Sequence, residues 1–495
     1  MSNFKLFDIL SVFSDTQMSQ FGKFVRSPYF NQNQTLIDLF EYLKSFHPNY
    51  DSKLLSPEKL WSYLYPNRLF DDAEIRRLRS SLLKKMEHFI GISKIEEQKV
   101  LLQKEVLGFY TDSLLKKHAK TALDNAQKSV DNFPHRNHHY YYSQYLINYE
   151  ATSYLNLEDY RSKKFQLLVD EYFSATAHNM DIAFVLRKLE LTCVIASHRH
   201  IFGLSGIDDS IFDDILNLVN YKQAFLEIPS IAIYYYALLM FIDINKEISY
   251  QKFRQVFDKN IEKISSSEAI MLYNLAKNYC ILKSNGGSPE YYEELLGLYN
   301  MGLESGLLYE KNYLKSGDFK NIVTLGTRLG KFEWVEQFIQ SNQDKLEEGT
   351  DADVFRYCTA YLHFCQNDYD KAKVVLREST FKDVFFKVDV RKLLLKIAYE
   401  EDEVMVRDDL INALRRFINS KKGLISAHHI EANRNFLNIL SDFCKIEEKV
   451  IIKAKSPLTV IKDILKKINA AKMLSEKTWL LEQIEFQKKK YNLTL

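Results

Sequence analysis

"TAYLHFCQNDYDKAKVVLRES", residues 359–379, holds two apolar stripes separated by a polar turn, and its reading decides the fold. Ala360 and Phe364 stand one helical turn apart. The stripe stops at Gln366-Asn367-Asp368 and resumes as Tyr369, Ala372, Val375 and Leu376. Apolar positions three and four apart share one helix face, and a small residue on each arm lets two helices approach closely. The stretch predicts a helical hairpin.

The same turn recurs. In "RLGKFEWVEQFI" (328–339), Gly330, Phe332 and Val335 take the places of Asn367, Tyr369 and Ala372, each pair 37 residues apart. "LNLEDYRSKKF" (155–165) repeats the turn aromatic at Tyr160. "NLAKNYCIL" (274–282) sets Leu275, Ala276 and Tyr279 on one helix, and "HAKTALDNAQKSVDNFP" (118–134) spaces Ala119, Ala122 and Ala126 as a second helix would. The stretch QNDYDKA resembles the inter-helix turn of tetratricopeptide repeats, where Gly-Asp-Tyr/Phe precedes a small residue three positions on. Ala360 and Ala372 match the two small packing positions of that family. Thr359 and His363 depart from its preferred Leu and Tyr. The spacing is close to the family period of ~34 residues. The resemblance implies an all-α chain, a degenerate tetratricopeptide-like helical-hairpin solenoid with distinct helical caps at both ends.

Composition agrees. Across 495 residues there are 33 Phe and 31 Tyr but only 15 Gly and 8 Pro, too few breakers for the many tight turns of an all-β fold. Three regions are expected: an N-terminal helical domain (1–100), the repeats (101–440) and a basic C-terminal helical cap (441–495). Residues 445–495 hold 12 Lys against 6 acids, whereas the middle of the chain is mildly acidic. Ser14-Asp15, Ser56-Pro57, Asp71-Asp72 and Ser456-Pro457 read as helix starts, and Ser475 as the start of a last helix bearing Trp479. The N-terminus lacks the pattern of a signal peptide. The longest apolar run, IAIYYYALLMFI (231–242), falls short of the ~18 residues of a membrane span. Cys193, Cys280, Cys358, Cys365 and Cys444 are an odd, scattered set in helical contexts, as reduced core thiols would be. Both observations predict a cytoplasmic protein.

"FGKFVRSPYFNQNQTLIDLFEYL" (21–43) reads as a joint between two helices, with Ser27-Pro28 ending one, the Asn/Gln tract starting the next, and Tyr29 and Phe30 tucked beneath. With the helices up to Phe89, it resembles the opening of an uncharacterised family of cytoplasmic helical proteins from Bacteroidota. That resemblance implies no activity.

Catalytic chemistry is not spelled out. FGLSGIDDS (202–210) and SNGGSP (284–289) lack the Lys-Ser/Thr of a phosphate loop, and Ser205 lacks nucleophile-elbow spacing. His135, His138 and His139 have no neighbouring Cys or acid to complete a tetrahedral metal site. His198 and His200 read as helix-end residues, and His428-His429 shows no ligand spacing. The reading is non-enzymatic, with no cofactor and no metal.

Two functional readings follow. Stacked hairpins would offer a long surface to a protein or peptide partner, and the Tyr140-Tyr141-Tyr142 and Tyr234-Tyr235-Tyr236 runs cannot all face one core. This makes the chain an interaction scaffold. The alternative is a DNA-binding transcriptional regulator. Helix 72–90, carrying Arg76, Arg77, Arg79, Lys84 and Lys85, is similar to the end of a bacterial winged-helix module. The residues after it read as helix where a wing should stand, and Asp71, Asp72, Glu74 and Glu87 balance its charge.

Overall fold

A computed structural model describes residues 5–158, 160–204, 206–286, 288–310, 312–346, 351–377, 381–452 and 456–493. It is all-α, with 79% of the chain in helix. The only strands among the described residues are Tyr309–Glu310 and Tyr313–Leu314, one antiparallel pair of two residues each. No helix among the described residues is long and apolar enough to cross a membrane. The residue questioned as a nucleophile, Ser205, lies outside the described residues.

The chain forms two compact units, residues 1–133 with 139–180, and residues 134–138 with 181–495. This division falls inside the expected repeat region, because the 40-residue helix Lys163–Phe202 contributes to both units. Within the first unit, helices Lys5–Val12, Asp15–Arg26, Gln34–Lys44, Pro57–Leu64 and Asp72–Glu97 nevertheless enclose a core of their own. Its centre is Phe21, whose ring lies 5.0 Å from Phe40 and 5.4 Å from Phe89. Ser14 closes a capping box with Gln17, Ser56 precedes an N1 proline, and Asp71 accepts from the Ala73 and Glu74 amides. These satisfy amides that a helix start leaves unpaired.

The joint at 27–33 differs from expectation in one respect. Phe30 stacks on Phe24 at 4.2 Å, and the Asn31 amide donates to Val25 O at 2.9 Å. Tyr29 is 88% exposed and lies outside the contact expected for it. A second core in the same unit joins helices Lys99–Asp112, Lys116–Asp131 and His138–Tyr154 through Leu107, Leu123, Ile147 and Tyr154. Tyr160, expected to close a hairpin, is also largely exposed, and the helix after it is far longer than a hairpin arm.

The second unit is a succession of helix pairs. Pro229–Ile242 packs with Glu247–Asn260, Ser266–Asn285 with Glu290–Glu304, Ser316–Arg328 with Phe332–Ser341, Asp351–Cys365 with Tyr369–Arg377, and Val384–Glu400 with Val404–Ser420. First helices also contact first helices: Ser316–Arg328 packs on Asp351–Cys365, and that on Val384–Glu400. Three hairpin turns of this unit share one geometry, which recurs at Leu114 in the first unit and at Asn492 after the last helix. Gly330, Asn367 and Asp402 are left-handed, with φ of 71°, 60° and 56°. In each, the following amide donates back to the carbonyl five residues earlier at 2.9 Å (Lys331 to Gly326, Asp368 to His363, Glu403 to Ala398). This is the Schellman closure of a helix C-terminus. Ala360 and Ala372 are fully buried in facing helices of one hairpin.

Candidate functional site

The helix Val384–Glu400 carries Lys392 and Lys396 one turn apart, amid buried Leu393, Leu395, Ile397 and Ala398. Both lysines are themselves buried. An ammonium in such a place needs a carboxylate and further hydrogen bonds. The segment just before the last helix, Lys477–Lys490, supplies a carboxylate from Glu476 and a hydroxyl from Ser475, which accepts from Lys392 at 3.0 Å. Ser475 N donates to Ala432 O at 3.1 Å and Asn435 Nδ2 to Met473 O at 2.8 Å, pinning the approach segment on helix Ala427–Phe443. Glu476 then accepts from Lys392 at 3.0 Å and from Lys396 at 2.8 Å. Lys392 also lies 3.0 Å from Asp389, which in turn accepts from Lys320 on helix Ser316–Arg328. A relay of alternating charge, Lys320–Asp389–Lys392–Glu476–Lys396, thus joins two first helices to the C-terminal segment.

Beyond Glu476, Trp479 Nε1 donates to Glu400 Oε1 at 3.0 Å, and Gln483 Nε2 to the same oxygen at 2.7 Å. The Trp479 ring meets Tyr399 at 5.4 Å and Phe436 at 6.2 Å. Lys396 Nζ lies 5.0 Å from the Phe364 ring centre, 5.4 Å from Tyr361 and 5.9 Å from Trp479, an aromatic enclosure that favours a cation. Between the C-terminal segment and helices Ser316–Arg328, Asp351–Cys365 and Val384–Glu400 a cavity of about 620 Å3 remains. Thr324, Arg328, Tyr357, Tyr361, Trp479 and Glu482 are among its walls.

The electrostatics follow from burial and pairing. Burial pushes the Asp389 carboxyl up, but Lys320 and Lys392 outweigh it and hold the group below its usual range. Glu476 is held well below its range, because Lys396 and Lys392 outweigh burial. Burial lowers Lys392, and Asp389 and Glu476 more than offset this, so it is raised. Among the described residues Glu400 forms no ion pair, and Lys396 acts on it only from a distance. Burial raises it, against the hydrogen bonds from Trp479 and Gln483. Burial likewise pushes the Cys365 thiol up, with Lys396 opposing, away from the thiolate a nucleophile requires.

None of the candidate binding residues Arg76, Arg77, Arg79, Lys84, Lys85, Tyr140, Tyr141 and Tyr142 lines this cavity, whereas Phe364, Cys365, Asn367, Tyr369, Ser475 and Trp479, read from the sequence as hairpin, thiol and helix-start residues, do. Arg76 is exposed and pairs with Asp72, and Arg77 pairs with Glu74 at 2.7 Å. Arg79 is buried, donates to Leu55 O at 3.0 Å and lies over the Phe7 ring. Lys85 donates to Phe30 O, while Lys84 stays in solvent. Tyr140 accepts from Gln144 at 3.3 Å and Tyr141 stands edge-on to it. Tyr142 begins an outward row with Tyr145 and Tyr149, their rings 6.0 and 6.1 Å apart in succession. His135 bonds Lys263 O at 3.1 Å and His200 bonds Phe241 O at 2.8 Å. The signal for the cavity was present in "RKLLLKIAY" (391–399), where two lysines interrupt a run of core residues at helical spacing.

No family model, curated relative or solved structure matches the chain.

Proposed function

We propose that this protein is a non-enzymatic, tetratricopeptide-like scaffold of the cytoplasm that binds a protein or peptide partner along the first helices of its second unit. The observation that carries the reading is the cavity beside Ser316–Arg328, Asp351–Cys365 and Val384–Glu400, walled by aromatic rings and by charges of both signs. Its volume lies within the range of roughly 300–1,000 Å3 typical of binding pockets. A peptide presents backbone donors and acceptors beside apolar side chains, and such a wall complements both. Three left-handed turns of one geometry, at Gly330, Asn367 and Asp402, support the repeat assignment. The raised Cys365 thiol supports a binding role over a nucleophilic one.

The test is photo-crosslinking from inside the cell. p-Benzoylphenylalanine placed at Asn285, on the cavity wall, is expected to yield a discrete protein adduct. The same group at Met405, on the second helix Val404–Ser420, is expected to yield none. Equal labelling from both positions, or none from Asn285, would sink the reading.

A further inference from the structure

We infer that this groove is a helix-binding site whose tethered occupant is the chain's own last helix, Lys477–Lys490, and that the partner which replaces it is a helix carrying an acid, a Trp three residues on and a Gln four beyond. The inference rests on the binding reading above and specifies its partner. Three directional anchors seat the helix. Glu476 spans Lys392 and Lys396, and Trp479 and Gln483 both donate to Glu400. Lys392 keeps Asp389 when the helix leaves, but buried Lys396 pairs with Glu476, so whatever replaces the helix must bring a carboxylate to it; leaving it without one is strongly unfavourable. Glu400 is exposed on one side, and on the other its carboxylate accepts from the Trp479 indole and the Gln483 amide, donors that a Trp and a Gln on a replacing helix would provide.

Two features make the occupant exchangeable. Glu476 holds a left-handed backbone, φ 57°, a conformation that costs a non-glycine residue energy and is relieved on release. The helix has 14 residues, a length at which isolated helices are marginal in water, so its helicity leans on its packing in the groove and on helix Pro457–Ala470. It also leaves the cavity beside it unfilled, and a longer partner helix has that space to occupy.

The test uses the full chain carrying Glu476→Gln and Trp479→Ala, which loosens the tethered helix, and a fluorescein-labelled peptide of residues 472–491. Fluorescence anisotropy is expected to show at least ten-fold tighter binding to this variant than to the unaltered chain. A peptide bearing Trp479→Ala is expected to lose at least ten-fold. A folded variant that binds no better than the unaltered chain overturns the inference. If the variant does not fold, hydrogen exchange on the unaltered chain decides. Amides of residues 480–490 must exchange at least ten-fold faster than those of Ala427–Phe443, and equal rates overturn it. Adducts at Asn285 without peptide binding would remove this inference alone. Peptide binding without adducts would remove the wider scaffold reading and leave the groove a purely internal switch.

Discussion

Lys396 and Glu476 lie 80 positions apart in the chain and meet at 2.8 Å, the ammonium buried and the carboxylate partly exposed to the cavity. Their pairing contributes, with Asp389, to how the second unit responds to acid. Glu476 is held well below its ordinary value of 4.5, so its contribution is complete above that value and is lost as pH falls through the lower folded value. Glu476→Gln is expected to cost roughly 3–5 kcal/mol at pH 7, the usual loss when one member of a buried pair is removed. Below pH 4.5 the gap to the unaltered protein should narrow by about 1.4 kcal/mol per pH unit. Denaturant melts at pH 7 and pH 3.5 check this, and a gap that stays constant rules out the pair as described.

Close helix crossings supply the second prediction. A Cβ added at Gly326 would stand 2.4 Å from Val335 Cγ2, in the hairpin formed by Ser316–Arg328 and Phe332–Ser341. Gly326→Ala is therefore expected to destabilise by about 1–3 kcal/mol despite the better helix propensity of alanine. Val335→Ala in the same chain should recover part of that loss, and a double-mutant cycle measures the coupling. Additive effects would mean that the two residues do not press on one another.

Overpacking at the neighbouring hairpin gives the third. Ala360 and Ala372 are fully buried in facing helices, so replacing either with Leu is expected to cost roughly 1–3 kcal/mol. Thermal melts coincident with that of the unaltered protein would remove both from the crossing.

The hairpin turns were legible because their requirement is local. Gly330 and Asn367 stand where a left-handed residue must close a helix, and these residue types tolerate that conformation best. The third turn, at Asp402, has the same backbone but was invisible. Val404 stands where the others have an aromatic, and Arg407 where they have Val335 or Ala372. Tyr29 was misplaced because Ser27-Pro28 announces a turn without saying which of two adjacent aromatics faces inward. Phe30 took the place on Phe24. Capping residues such as Ser14, Ser56 and Asp71 were readable, since a cap acts within three residues of itself. The charge relay was not. A lysine in an apolar run announces burial, but its partner Glu476 is fixed only by the path of the chain back across helix Ala427–Phe443.

Left-handed turns make the fourth prediction. Asn367→Gly and Asp402→Gly remove the strain of a side chain at positive φ and are expected to be neutral or to stabilise by up to about 1 kcal/mol, less the added freedom of the unfolded chain. Gly330→Ala should destabilise by about 1–2 kcal/mol. If Gly330→Ala melts with the unaltered protein, the turn has another conformation.

The basic helix Asp72–Glu97 separates the scaffold from the DNA-binding regulator. Arg79 points into the core of the first unit, where its guanidinium donates to Leu55 O and burial lowers its pKa. Lys85 is tied to Phe30 O. Arg76 and Arg77 are neutralised by Asp72 and Glu74 on their own helix. Of the five basic residues, Lys84 alone is exposed with neither an ion pair nor a core contact among the described residues, and one phosphate contact contributes a log–log salt slope of only about −0.9. Arg79→Ala is therefore expected to destabilise by roughly 1–3 kcal/mol through the orphaned carbonyl and lost packing. Arg77→Glu with Lys84→Glu should leave the melting temperature unchanged. Anisotropy with random duplex at low and moderate salt is expected to show no sub-micromolar binding. Tight, steeply salt-dependent binding abolished by the Arg77→Glu/Lys84→Glu pair would reverse the choice in favour of the regulator, because only residues reaching phosphate can produce that slope.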